Sequence, residues 1–268
     1  MQPLANAAEA LLAEAMDRLR SDRFEPALWA FLRAVVRPDN LVILAYQDAG
    51  SPTALSRWFE DPRVFAGLDR TYLAGTYRLD PFYELHLNRA GEGAYRLRDV
   101  APDAFHRSRY FVEYYAETGL IDEIAVLIWP APDVSLNLSL GRDAASGKAF
   151  TAAEVETCRR LSPVLAALAR AHWQDIGAGG EAAGRSVEDT AALLASAARR
   201  KHGIALSLRQ AEVALMILRG HSSLSIALRL GLSPQTVKVF RKQLYRRCAI
   251  SSQAELFALM LPLLKDAG

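Results

Sequence analysis

The apolar positions change period several times along the 268 residues. From Leu4 to Leu19, and again from about Pro26 to Val36, they recur at helical spacing, the second run with proline in its first turn. Leu41-Val42-Ile43-Leu44-Ala45-Tyr46 is instead a continuous apolar run bounded by Pro38-Asp39-Asn40 and Gly50-Ser51-Pro52. That predicts a buried strand, with Thr53 to Phe59 pairing beside it. Ile124 to Trp129 and Val134 to Leu140 form a second β region, split by Pro130-Ala131-Pro132-Asp133 into a predicted hairpin. Helical patterns lie between the two β regions, at about 63–75, 81–88 and 108–118. Thr151, with Glu154 three residues on, forms a capping box that starts a helix running to about Trp173. Helices, strands, helices, strands and a helix, in that order, predict an α+β sensor-like sandwich rather than a parallel α/β fold.

At Gly177-Ala178-Gly179-Gly180-Glu181-Ala182-Ala183-Gly184 small residues replace this periodicity, which predicts a linker. Ser186 is placed to cap a helix from Val187 to Arg199-Arg200-Lys201, whose cations suit a helix C-terminus, and Gly203 ends it. Arg209 to Leu218 then presents Val213, Met216 and Ile217 on one face and stops at Gly220. Ser223 to Leu230 follows, ends at Gly231, and leads into Ser233-Pro234, an N-cap with proline at the first position of a helix from Gln235 to about Arg247. Two short helices across a glycine turn, the second one basic, predict a helix-turn-helix. The expected division is a sensor domain over 1–173, a linker and connecting helix over 174–203, and an all-α DNA-binding domain over 204–268.

Composition bounds the function classes. With 51% apolar and 23% charged residues the chain is globular, and its longest apolar stretch is too short to span a bilayer. Without a signal-peptide pattern at the N-terminus, the expected location is the cytoplasm. Cys158 and Cys248 fall outside any zinc-ligand or disulfide pattern, so no metal and no cofactor is expected. The net charge of +2 hides an asymmetry. Residues 1–173 carry 19 Lys+Arg against 23 Asp+Glu, whereas 204–268 carry 9 against 3. A basic module on a mildly acidic domain is the footprint of a polyanion binder. On the third helix of that module Val237 and Leu244 point to a core, while Thr236, Lys238, Arg241, Lys242 and Arg246 share the remaining surface, suited to phosphates and, through arginine, to guanine. No catalytic residues are expected: Gly91-Glu92-Gly93 lacks the third glycine of a dinucleotide loop, and Asp122-Glu123 on a strand point to opposite faces.

Leu206 to Val213, Ile226 to Lys238, Leu244 to Arg247 and Ser251 to Leu256 together closely resemble the LuxR-type DNA-binding domain, with departures at Phe240, Cys248 and Leu224-Ser225. The resemblance implies a four-helix module whose third helix enters the major groove and whose last helix, Gln253 to Leu264, helps form a homodimer on an inverted-repeat operator in duplex DNA. It implies Thr236, Lys238, Val239, Arg241 and Lys242 as DNA contacts, to which Ser233 at the N-cap and Arg246 are added, and RNA polymerase as a further partner.

The first domain resembles the autoinducer-binding domain of the LuxR-family quorum-sensing receptors, which implies a GAF/PAS-like α-β-α sandwich. Tyr72 to Pro81 is similar to that family's Tyr…Asp-Pro stretch, and Tyr110-Phe111 to Thr118-Gly119-Leu120 to its helix before the third strand. A phosphorylated receiver domain does not fit, because residues 1–173 hold only one lysine, Lys148, and begin with helices. The resemblance implies that Tyr72 donates to a ligand carbonyl and Asp80 accepts a ligand N–H. Gly67-Leu68 stand where the lactone-holding tryptophan is expected, so the expected effector is a small molecule other than a typical acyl-homoserine lactone, amide- or amine-bearing. Tyr77, Phe111, Trp129 and Ser139 complete the candidate pocket, although each aromatic also fits a core role. Asp80 before Pro81 equally fits a helix N-cap, and His86 and His106 have no partner pattern around them. Two readings stay open: a ligand-controlled transcription factor, or a DNA-binding regulator whose first domain is a ligand-free dimerisation or protein-interaction module.

Overall fold

The structure, a computed structural model, describes residues 6–47, 51–176 and 187–265. Leu4, the expected linker Gly177 to Gly184 and the cap Ser186 lie outside them.

A five-stranded antiparallel sheet organises the first domain. Its strands are β1 (Asn40–Gln47), β2 (Thr53–Trp58), β3 (Gly93–Arg96), β4 (Asp122–Ala131) and β5 (Val134–Arg142), in the order β2-β1-β5-β4-β3. The β1–β2 pair and the β4–β5 hairpin form where the apolar runs put them. Edge strand β3 was not predicted, since four residues are too few to show a period.

Alternation assigns the two faces of the sheet. Leu41, Ile43, Ile124, Val126, Leu136 and Leu138 pack into one core with helices α1 (Asn6–Asp17), α2 (Phe24–Val35) and α6 (Ala152–His172). The capping box at the start of α6 is present: Thr151 Oγ1 accepts the Glu154 N–H at 3.2 Å, and Glu154 Oε2 accepts the Thr151 N–H at 2.8 Å. On the other face Val42, Leu44 and Tyr46 sit beside a polar row from β5, Ser135, Asn137 and Ser139, all buried.

Short segments cover that second face where longer helices were expected. Residues 63–75 become two single turns, Pro62–Phe65 and Leu68–Tyr72, with a third turn, Thr76–Leu79, following Gly75. Helix α3 (Pro81–Leu87) follows at its predicted place, then α4 (Leu97–Val100). Residues 108–118 become α5 (Arg109–Glu113) and the turn Tyr115–Thr118. Gly67 and Gly75 interrupt the first stretch, and Tyr114 leaves helical geometry in the second, so several tyrosine rings can face the sheet at once.

The C-terminal region is all helical: α7 (Val187–His202), α8 (Leu208–Arg219), α9 (Ser223–Leu230), α10 (Pro234–Arg247) and α11 (Gln253–Lys265). Gly220 and Gly231 close α8 and α9 in the left-handed conformation. This region shares one core with the first domain. Leu79, Phe82, Phe105 and Tyr110 pack in the same cluster as Val213, Ile217, Met260 and Leu264. Two glycines make that contact close. A Cβ at Gly75 would lie 2.6 Å from the Lys265 Cα, and one at Gly220 would lie 2.8 Å from the Phe105 Cα. Side-chain-to-backbone hydrogen bonds cross the junction: Arg78 Nη1 donates to the Leu264 carbonyl at 2.8 Å, and Arg219 Nε donates to the Arg78 carbonyl at 3.1 Å. Helix α11, which the family resemblance assigns to a dimer contact, here buries Leu256, Phe257, Met260 and Leu264 within its own chain.

Candidate DNA interface and ligand cavity

Helix α10 starts as its sequence dictates. Ser233 Oγ accepts the Thr236 N–H at 3.0 Å, and Pro234 occupies the first helical position, where no N–H is needed. Val237 and Leu244 are buried, which fixes the helix's rotation on α8 and α9. Ser233, Lys238, Val239, Lys242 and Arg246 are then exposed, with Thr236 and Arg241 half-buried beside them. Arg241 Nη1 reaches Ser223 Oγ at 3.4 Å. All seven lie on or at the head of one helix, and four of the seven carry a cation.

On the second face of the sheet lies a narrow cavity of about 50 Å³. Val42, Leu44, Val64, Phe65 and Leu68 form its apolar wall; Tyr72, Tyr110, Tyr114 and Tyr115 supply rings, and Asp80, Glu123 and Ser139 supply polar groups. Asp80 caps α3, one of the two roles foreseen for it, and also lines the cavity. Its Oδ1 accepts the Phe82 N–H at 2.7 Å as the N-cap of α3, and its Oδ2 accepts the Tyr72 hydroxyl at 2.7 Å. With its proton so committed, Tyr72 accepts from Tyr46, the two hydroxyl oxygens being 2.6 Å apart. Burial pushes the Asp80 carboxyl up to about 6 against the opposing pull of Tyr72 and the Phe82 N–H. Glu123 is pushed further, to about 8, by burial and then by the charge of Asp80, with Ser139 and Tyr115 opposing.

Of the six residues expected at the ligand, Tyr72, Asp80 and Ser139 line the cavity; Tyr77, Phe111 and Trp129 lie elsewhere. Tyr77 is fully buried behind it, edge-on to Tyr83 at 4.8 Å. Phe111 stacks on Tyr115 at 5.4 Å and faces the core shared with the C-terminal helices. Trp129 sits near the hairpin end of β4, where its Nε1 donates to the Ala90 carbonyl at 2.9 Å and its ring stacks on His86 at 5.3 Å. All three aromatics belong to segments near the cavity, and tertiary packing places their rings elsewhere.

Glu123 was missed. Asp122 and Glu123 do point apart: Asp122 pairs with Arg96 at 2.5 Å, while Glu123 accepts the Tyr115 hydroxyl at 3.1 Å inside the cavity. The signal for Glu123 lay in the hairpin register. Ala125 faces Ser139, so alternation puts Glu123 on the same face as Ser139. Where the family's tryptophan is absent, Leu68 lines the cavity, and Tyr114 Cε2 lies 3.0 Å from where a Gly67 Cβ would be.

Residues 205–260 match the family described as bacterial regulatory proteins, luxR family. A relative from Aeromonas salmonicida, named for an HTH-type transcriptional regulator in the exeN 3'region, is 29% identical over 188 residues, or 68% of this chain and 93% of that one. The VqsR LBD domain of Pseudomonas aeruginosa is similar in structure, with a TM-score of 0.53 and 26% identity over 63% of this chain and 98% of that one. SdiA of Escherichia coli aligns over 96% of this chain and 98% of its own, with a TM-score of 0.42 and 15% identity. The C-terminal helices therefore carry a module of the luxR family of bacterial regulatory proteins, and the chain is similar over 68% of its length to a relative named for an HTH-type transcriptional regulator. Its first domain has a fold like that of the VqsR LBD domain. Among the described residues no helix is long and apolar enough to cross a membrane.

Proposed function

We propose that a small molecule in the cavity of the first domain controls how this regulator binds DNA. The observation that carries the reading is that Tyr110 and Tyr115 belong to two structures at once. They line the cavity, and they pack in the core shared with α8 and α11. A ligand that moves these rings changes the packing under the C-terminal helices, which is the differential contact a population shift requires. In this reading residues 1–173 sense, 174–203 connect and 204–268 bind DNA. Two copies place their α10 helices on half-sites about 34 Å apart. Ser233, Thr236, Lys238, Val239, Arg241, Lys242 and Arg246 face the duplex.

The sensor is tested by native mass spectrometry of the full chain purified from its own host, comparing wild type with Asp80→Asn, which keeps a capping oxygen on α3. A bound mass that is lost in the variant is expected. A wild-type protein that is empty yet binds operator DNA as a dimer would overturn ligand control in favour of an interaction module.

For the DNA surface, Lys238→Ala is expected to weaken operator and random DNA alike and to lower the slope of log affinity against log salt by about 1. Arg241→Ala is expected to cost about 1–3 kcal/mol and to relax preference at one base position. Fluorescence anisotropy over a salt series measures both. Wild-type affinity in the two variants would show that α10 is not the reading helix.

A further inference from the structure

The cavity contains more acid than a neutral ligand calls for. Asp80 and Glu123 both line it, and no Lys, Arg or His is among the residues that do. Glu123 is held by a neutral donor, the Tyr115 hydroxyl, with Ser139 beside it in the wall, and Asp80 by the Tyr72 hydroxyl and the Phe82 N–H. The neighbouring acid that does have a cation, Asp122, keeps Arg96 on the opposite face of β4. Two hydroxyls in the wall, those of Tyr110 and Tyr114, make no hydrogen bond to other described residues.

We propose that the ligand carries a protonated amine, its ammonium group hydrogen-bonded between Asp80 and Glu123 against the rings of Tyr72, Tyr110 and Tyr114, and its short apolar part against Val42, Leu44 and Leu68. This rests on the reading that the cavity binds a small molecule, and it names the class.

Two carboxylates withdrawn from water without a counter-charge are costly, and an ammonium with three donors removes that cost for both. Tyrosine faces attract the same cation. In the empty cavity a proton on Glu123 serves instead, since burial and Asp80 hold that carboxyl up at about 8. An amine must replace this proton, so its affinity rises with pH until Glu123 ionises freely, and falls again only as the amine itself deprotonates near about pH 10. The groups facing Glu123 that bear on this are Asp80 across the cavity, Asp122 beside it on β4, and the hydroxyls of Tyr110, Tyr114 and Tyr115.

The test titrates the full-length protein with n-hexylamine, hexan-1-ol and hexanamide by calorimetry, in wild type, Asp80→Asn and Glu123→Gln. Hexylamine is expected to bind wild type about tenfold or more tighter than either neutral probe, as a charge-assisted contact requires. That preference should grow from pH 6 to pH 8.5 and be lost in Glu123→Gln. Equal or tighter binding of hexanol or hexanamide would overturn the amine while leaving ligand control standing. No binding by any probe, together with an empty protein in native mass spectrometry, would overturn both.

Discussion

Raised from pH 5 to pH 8.5 without ligand, the wild-type protein loses thermal stability that Glu123→Gln retains, and at pH 8.5 the variant melts several degrees higher. The folded protein holds a proton on Glu123 up to about pH 8, whereas the unfolded chain releases it near the ordinary 4.5. Between those values the native state binds more protons than the unfolded one, so stability falls as pH rises through this window and is flat above it. Asp80 adds to the same slope between 3.8 and about 6. His86, pushed down to about 4 by burial and by Arg89, is neutral in the fold, so stability is lost as pH falls through 6.5. That opposing slope is common to both proteins and cancels in their difference. The cost of ionising a fully buried carboxyl is on the order of a few kcal/mol, and glutamine avoids it. Differential scanning calorimetry across the pH series reads the effect. Parallel wild-type and variant curves would show that Glu123 holds no proton in the fold. A side chain whose removal stabilises the empty protein is what a binding site looks like when strain is kept for a ligand.

Glu84→Ala is expected to release the C-terminal helices from the first domain. Glu84 lies buried on α3, and its Oε1 accepts Arg229 Nη1 of α9 at 2.7 Å. Its Oε2 lies 3.9 Å from His221 Nε2. Burial raises its pKa, yet His221, Arg219 and Arg229 outweigh that and hold it down at about 2. Arg219, 1% exposed, depends on this carboxylate to offset its own burial. Removing the carboxylate leaves a cation buried without its counter-charge, a loss on the order of 3 kcal/mol. Arg229 is half exposed, and truncating it instead should cost under about 1 kcal/mol. Because the lost contacts cross the junction, the expected result is undocking: a larger radius of gyration by small-angle scattering and faster protease cleavage within residues 174–203. Unchanged compactness and cleavage in Glu84→Ala would mean that the shared apolar core alone holds the two parts together. Helix α11 packs on α5 and the turn Thr76–Leu79 as well as on α7 and α8, so undocking uncovers its face toward the first domain, and dimer formation is the second readout.

Most of the elements were legible in the sequence. Ser233-Pro234, Gly220, Gly231 and the Thr151/Glu154 box are local devices, each satisfying the backbone groups of a helix end within a few residues, so one stretch of chain suffices to read them. The apolar run at Leu41 and the proline-bounded hairpin at Ile124 to Leu140 likewise carry their own period and turns. The rotation of α10 followed from Val237 and Leu244 alone, and with it the cationic face.

What the sequence could not decide depends on distance along the chain. Which aromatics line a cavity is set by how broken turns settle on a sheet: Tyr110 and Tyr114 line it, while Phe111 between them turns to the other core. Asp80 and Glu123 share one cavity because a cap on α3 and a strand in the hairpin converge, and no spacing rule links those positions. The docking of α8 and α11 on the first domain rests on Gly75 and Gly220 meeting backbone from the other part of the chain. By itself the sequence determined most helix ends, the four longer strands and the basic surface, because these are short-range matters of capping, period and charge. Only the tertiary structure decided the contents of the cavity and the shared core, because burial and desolvation arise between residues that the chain keeps far apart until it folds.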